Sequence, residues 1–275
     1  MRFLKIVGII FLGIAMSAGV ACFVFSHRLP ESTPGDAAKA LATRVEQAVN
    51  LKAFYQIPVL SFGFRDRNQH LWDKHRGLSR VVYGKEKEQT EILFHLSTKK
   101  GIAFYKGERL TGEAEAEALK EGYSRWANDS FWLNPITKLR DKGVTLSVPQ
   151  DDPNSLLVAF SSGGVTPGDT YRIYLGEDGK PTAIEMWVSA LPIKGARVSW
   201  KDWQEVDGAW IANGHRFSFG ASVGLTDIKA AKTAAALNNG VDPFARLFEA
   251  EGAKPAAPVS APIEAPSSAP AETPQ

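Results

Sequence analysis

The residues able to do chemistry fall in small groups along the chain. Gly220-Ala221-Ser222-Val223-Gly224 matches the G-x-S-x-G pattern of a nucleophile elbow, where a sharp strand-to-helix turn presents a serine hydroxyl to a carbonyl carbon. That turn belongs on a largely parallel α/β sheet, with the catalytic histidine later in the chain than the serine. Here the last histidine, His215, precedes Ser222, and the surrounding strands read as antiparallel. The pattern therefore reads as a glycine-rich turn after a strand. A hydrolase reading would rest on Ser222 alone. His70 and His75 stand near Asp66, Asp73 and Arg76, a mixture that could hold a metal or move a proton. Their spacing fits no helix-borne zinc motif, so they read as loop residues. His95, between Phe94 and Leu96, reads as a strand-face residue. Ser161-Ser162-Gly163-Gly164 is not followed by a helix start and lacks the amide cluster of a phosphate loop. Asp151-Asp152 and the glutamates of 113–121 read as loop and helix surface rather than paired catalytic acids. These groups assign no catalytic residue, no metal and no cofactor, and the chain reads as non-enzymatic.

The aromatic residues carry more. The stretch from Gly168 to Phe219 reads as antiparallel strands: Tyr171–Leu175, Thr182–Val188, Arg197–Trp203 and Trp210–Phe219. Gly176–Pro181 and Asp207-Gly208 supply the hairpin turns. Ile184, Met186 and Val188 share one face while Trp187 lies opposite. Val198 and Trp200 share one face while Trp203 lies opposite. A sheet with one wet face should alternate more cleanly. Two apolar faces fit a curled sheet with helices on one side and an apolar cavity within.

Other elements complete that frame. Asp36–Leu51 has the helical spacing of Ala37, Leu41, Val45 and Ala48, with Asp36 as a plausible N-cap. From Pro58 the period changes to two, with Leu60, Phe62 and Phe64 on one face. Strand character recurs at Leu71-Trp72, Ser79–Tyr83, Glu91–Thr98 and Ile102–Tyr105, an antiparallel meander. Gly112–Asn128 reads as a helix whose Leu119, Tyr123 and Trp126 share a face. An apolar segment, Phe131–Leu133, follows and stops at Pro135. Thr145–Val148 and Leu156–Phe160 resume strand character. Thr226–Asn239 supports either a helix, from its alanines, or a closing strand.

Composition bounds the partners and the compartment. Hydrophobic residues make up 44% and charged residues 23%, enough for a real core. Removing Arg2 and Lys5 from the 32 basic residues leaves 30, equal to the 30 acidic ones, so the body lacks the footprint of a nucleic-acid binder. Met1–Lys5 is basic, and Ile6–Phe25 is an uncharged apolar run close to the ~20 residues that cross a bilayer. Three readings stay open: a retained anchor, a signal cleaved after Ala21, or a lipidated Cys22. All place the body outside the cytoplasmic membrane. Cys22 is the single cysteine, so the body can hold neither a disulfide nor a thiolate metal site. Residues 26–35 read as a linker, 36–251 as one domain, and 252–275 as a disordered Ala/Pro-rich tail.

The order helix, meander, helix, aromatic segment and second meander resembles the LolA/LolB-like lipoprotein-carrier superfamily. The residues carrying the likeness are Asn128–Leu133, Lys138–Val144, Thr166–Tyr171, Tyr174–Trp187, and Trp200–Trp203 with Asp207-Gly208. The resemblance implies a periplasmic domain of a bacterial envelope, with an α+β fold, a curled antiparallel sheet or unclosed β-barrel covered by helices. It implies a non-covalently bound lipid or acylated protein as partner, with Asp36–Leu51 and Gly112–Asn128 as the lid. The lining residues expected on this reading are Phe62, Phe64, Phe94, Leu96, Phe131, Trp132, Met186 and Trp187. The alternative is a protein-interaction or envelope-sensor module with no lipid.

Overall fold

A computed structural model describes residues 26–161, 168–189 and 192–252. The apolar run expected to anchor or target the chain, and most of the tail, lie outside these residues. Among the described residues, no helix is long and apolar enough to cross a membrane.

The strands are β1 (Ser32–Pro34), β2 (Val59–Phe64), β3 (Asn68–Asp73), β4 (Leu78–Tyr83), β5 (Thr90–His95), β6 (Gly101–Tyr105) and β7 (Glu108–Arg109). They continue with β8 (Val144–Pro149), β9 (Ser155–Phe160), β10 (Thr170–Leu175), β11 (Pro181–Trp187), β12 (Ala196–Val206), β13 (Ala209–Phe217) and β14 (Ser222–Ala231). The helices are α1 (Asp36–Ala48), α2 (Leu51–Gln56), α3 (Gly112–Leu133) and α4 (Ala245–Ala250). The hydrogen-bonded order is β1-β8-β9-β10-β11-β12-β13-β14-β2-β3-β4-β5-β6-β7. This order has two ends, so the large antiparallel sheet is not closed into a barrel. The expected α+β class with covering helices holds at this level.

The chain divides into two compact units. One holds residues up to Val49, Asn134–Trp203 and Ala212–Val223. In it, α1 turns Ala38, Ala42 and Val45 inward and packs on β8 and β9. The helix starts with Gly35, not Asp36, at the N-cap position. It ends at Ala48, because Asn50 turns into the left-handed region at φ 47° and caps α2 instead.

The other unit holds Asn50–Leu133, Gln204–Ile211 and the chain from Gly224 on. Its meander β2-β3-β4-β5-β6 pairs in strict antiparallel register, Phe62 opposite His70, His70 opposite Val81 and Val81 opposite Ile92. Both faces of this meander are covered by the unit's own chain. On one face Val59, Leu71, Leu78, Leu93 and Ile102 pack against Ala234, Phe244, Leu247 and Phe248. On the other, Val81, Ile92, Phe94 and Ala103 pack against α3 through Ala118, Leu119, Tyr123 and Trp126. The predicted helical face Leu119-Tyr123-Trp126 is thus the one that α3 buries. Gly122 lets the helix come close: a Cβ there would lie 2.8 Å from Ile92 Cδ1.

Candidate functional site

A group of buried polar atoms lies between β3 and α3. Strand β3 presents Asn68, His70 and Trp72 on the face toward α3, two residues apart, and Leu71 on the other. Helix α3 meets this row with Arg125, Trp126 and Asp129, where the spacing of three and four keeps side chains on one face. Asp129 Oδ2 accepts from Asn68 Nδ2 at 2.7 Å and lies 2.7 Å from His70 Nε2. Asp129 Oδ1 takes Asn128 Nδ2 at 2.8 Å. Arg125 Nη1 donates to Asn68 Oδ1 at 2.9 Å, and its guanidinium lies 3.9 Å over the Tyr83 ring. Phe62 stacks on the His70 ring at 4.6 Å. Asp129 is 1% and His70 3% exposed, so water does not share their pairing.

His70 is therefore not a loop residue, as its sequence neighbours suggested. The polar Asn68 opens β3. Its period-two row with Trp72 was the available signal; its partner Asp129, on a helix far along the chain, was not visible. His75, by contrast, lies in the turn after β3. Among the described residues, no group of His, Cys, Asp and Glu could hold a metal ion.

Five atoms of this layer are buried without a hydrogen-bond partner among the described residues: Trp72 Nε1, Trp126 Nε1, Arg125 Nε, His70 Nδ1 and, opposite Trp72, the hydroxyl of Ser79. The first three are obligatory donors. The two indoles meet edge to face at 5.3 Å, and Tyr123 adjoins Trp126 at 5.8 Å. Further along the same row, Lys74 is 8% exposed, donates to the Phe54 carbonyl and lies 4.3 Å over the Phe54 ring. Burial pushes its amine down to about 7. The layer under α3 is thus aromatic in body and rich in donors.

The expected lining residues fall in both units. Phe62, Phe64 and Phe94 are buried on the α3 face of the meander, where Phe94 meets Tyr123 at 6.4 Å. Leu96 is partly buried against the same cluster. Phe131 and Trp132 pack edge to face at the end of α3. Met186 and Trp187 belong to the other unit, on opposite faces of β11. Met186 is buried and pairs across to Tyr171.

The face of β10-β11-β12 that carries Trp187 is polar, not the second apolar face expected from alternation. Arg172, Tyr174, Glu185 and Arg197 line it. Glu185 accepts from Tyr174 at 2.7 Å, while Arg197 and Arg172 lie over the Tyr174 ring at 4.1 and 4.6 Å. Burial, with Glu185 beside it, raises the Tyr174 hydroxyl to about 12. Arg172 is held by Asp151 through two bonds, 2.9 and 3.0 Å, so this acidic turn serves an ion pair.

Ser222 is exposed at the start of β14, a strand that pairs antiparallel with β2, so the serine leads into a strand and not into a helix. A separate open groove of about 520 Å³ is lined by Pro58, Gln204–Asp207 and Ile228–Lys232. Its walls mix acids and lysines without a converging set.

No family model matches this chain, and no curated protein matches it. Among solved structures, a DUF1329 family protein from Desulfovibrio piger is similar at 11% identity and a TM-score of 0.34, over 73% of this chain and 97% of that one. A likeness of that degree assigns neither fold nor function.

Proposed function

We propose that this is an envelope-facing, non-enzymatic domain of LolA/LolB-like half-barrel type that binds an amphipathic acyl ligand between β3 and α3, with α3 as the lid. The observation that carries the reading is the set of unpartnered donors Trp72 Nε1, Trp126 Nε1 and Arg125 Nε inside an aromatic layer. A buried donor without an acceptor costs about 1–3 kcal/mol, so each of the three gains from an acceptor that a ligand would bring. An ester, carboxylate or phosphate oxygen would meet them, and the acyl chain would lie against Phe94, Tyr123 and Trp126. Each buried methylene would add about 0.8 kcal/mol. Lipid or lipoprotein handling is the role that fits such a site.

Mass spectrometry of an organic extract from residues 26–275 tests this, together with uptake of a fluorescent fatty acid. A bound lipid is expected, with uptake weakened by Arg125→Met and Trp126→Phe. A lipid-free protein without uptake would assign these donors to buried water and end the proposal.

The second reading is a protein-interaction or sensor module. The observation favouring it is that both faces of the β2–β6 meander are filled by the unit's own side chains. Crosslinking to an envelope protein that depends on residues 253–275 would support it.

A further inference from the structure

The chain leaves the apolar run at Ser26 and is at once tied down. His27 N donates to the Lys194 carbonyl at 2.7 Å, and Trp187 Nε1 donates to the His27 carbonyl at 2.9 Å. Lys194 N donates to Ser26 Oγ at 3.1 Å, and His27 Nδ1 lies 2.6 Å from Glu185 Oε1. Residues 26 and 27 are thus fastened by backbone and side chain to the β11–β12 end of their unit. Around the fastening lie the half-buried Trp187, the exposed Pro192 and Leu29, the latter 50% exposed, and the exposed cations Arg28, Lys194 and Arg197.

We infer that this corner of the unit rests in the headgroup layer of the bilayer that holds Ile6–Phe25. The inference rests on reading that run as a retained anchor. Twenty residues match the ~30 Å hydrocarbon core as a helix, so Phe25 would mark its edge. His27 lies at most about 7 Å of chain further on, inside an interfacial layer of similar depth. Because His27 is fastened by short bonds, the groups around it are brought to the same depth. Their chemistry suits it: an indole with a polar edge, an exposed proline and leucine, the exposed Arg28, and two further exposed cations, Lys194 held on the Val188 carbonyl and Arg197 over the Tyr174 ring. The far end of the β10–β11 hairpin, at Glu177, lies about 20 Å away along β11.

The test uses the full chain in vesicles of phosphatidylcholine and phosphatidylglycerol, in a Cys22→Ser background. A bimane label is placed at Leu29→Cys, Pro192→Cys or Glu177→Cys and quenched by headgroup spin-labelled lipid. Carbonate extraction checks that the chain stays in the bilayer. The expected result is that labels at 29 and 192 lose most of their fluorescence and the label at 177 keeps it. Quenching at 29 without quenching at 192, in a chain that resists carbonate, would overturn the docking alone. A chain released by carbonate and unquenched at 29 would overturn the anchor reading, and the docking with it.

Discussion

His70 Nε2 stands 2.7 Å from Asp129 Oδ2, with both side chains sealed from solvent. This pair joins the middle of β3 to the last turns of α3. Asp129 also takes the side-chain amides of Asn68 and Asn128, so one carboxylate serves three donors. Asp129→Ala would leave Asn68 and His70 without that partner in a dry layer, while the exposed Asn128 amide can turn to water. A loss of about 2–6 kcal/mol is expected, since two buried groups each lose their partner at about 1–3 kcal/mol. Urea unfolding measures it. A loss below 1 kcal/mol, on the order of a surface substitution, would mean that α3 does not depend on this pair.

Lys74 makes the protein's stability depend on pH in an unusual direction. Its folded value, about 7, is below the ordinary 10.5. Between those two values the unfolded chain binds more protons than the folded one, so stability rises with pH across that window. Below it the charged, buried amine costs stability, on the order of a few kcal/mol. Lys74→Met keeps the stem over Phe54 and removes the charge. The variant should be more stable at neutral pH and should lose most of the rise toward pH 10. Denaturation of both proteins at the two ends of the window decides it; parallel profiles would remove Lys74 as the cause.

Gly122 sets how closely α3 approaches the sheet. A side chain there enters the space of Ile92, which has its own place between Phe94 and Val81. Gly122→Ala should cost little, since alanine's helix propensity offsets a small shift of Ile92 by about 1 kcal/mol. Gly122→Leu should lift the helix, destabilise by about 1–3 kcal/mol and speed ligand exchange under α3. Comparing the two variants by unfolding and by fatty-acid release separates helix propensity from packing.

Arg76 fastens the C-terminal segment. It pairs with Asp73 at 2.8 Å and with both oxygens of Asp242, at 2.6 and 3.0 Å, over the Phe244 ring. Nearby, Glu91 is shared by Arg80 at 2.5 Å and Arg246 at 2.7 Å. Burial works to raise the Glu91 carboxyl, but Arg246 and Arg80 outweigh it and hold it below the usual range. At Asp242 burial is outweighed by Arg76 and the Phe244 amide in the same way. These contributions are full above the ordinary carboxylate range and fade as pH falls through the lowered values. Arg76→Met should cost about 1–3 kcal/mol and strip hydrogen-exchange protection from α4 first. Equal loss of protection along β3 would show a global effect instead.

Much of the architecture is legible in the alternation of residues. The period of two at Leu60–Phe64 and the shared face of Leu119, Tyr123 and Trp126 place β2 and α3 with the correct sides inward. The boundaries are not. Asn128-Asp129-Ser130 reads as a helix end, yet α3 runs to Leu133. Asp129 is tolerated there because its carboxylate is taken by β3, and Pro135 supplies the stop. Thr226–Asn239 is undecided by composition; pairing with β2 makes its first part a strand. The candidate site was half legible: the aromatic residues were visible, but the polar row that gives the layer its donors was not.

By itself the sequence determined the antiparallel strands, the two long helices and the apolar run ahead of Ser26, because period and composition are local properties. Tertiary structure decided which polar residues go inside. Asn68, His70 and Asp129 look like surface in the sequence, and their burial depends on partners about sixty residues apart. It also decided that Glu185 meets His27 from the opposite end of its unit's sequence. Pairing across such a distance leaves no local trace, since each member satisfies the other only after the chain has folded.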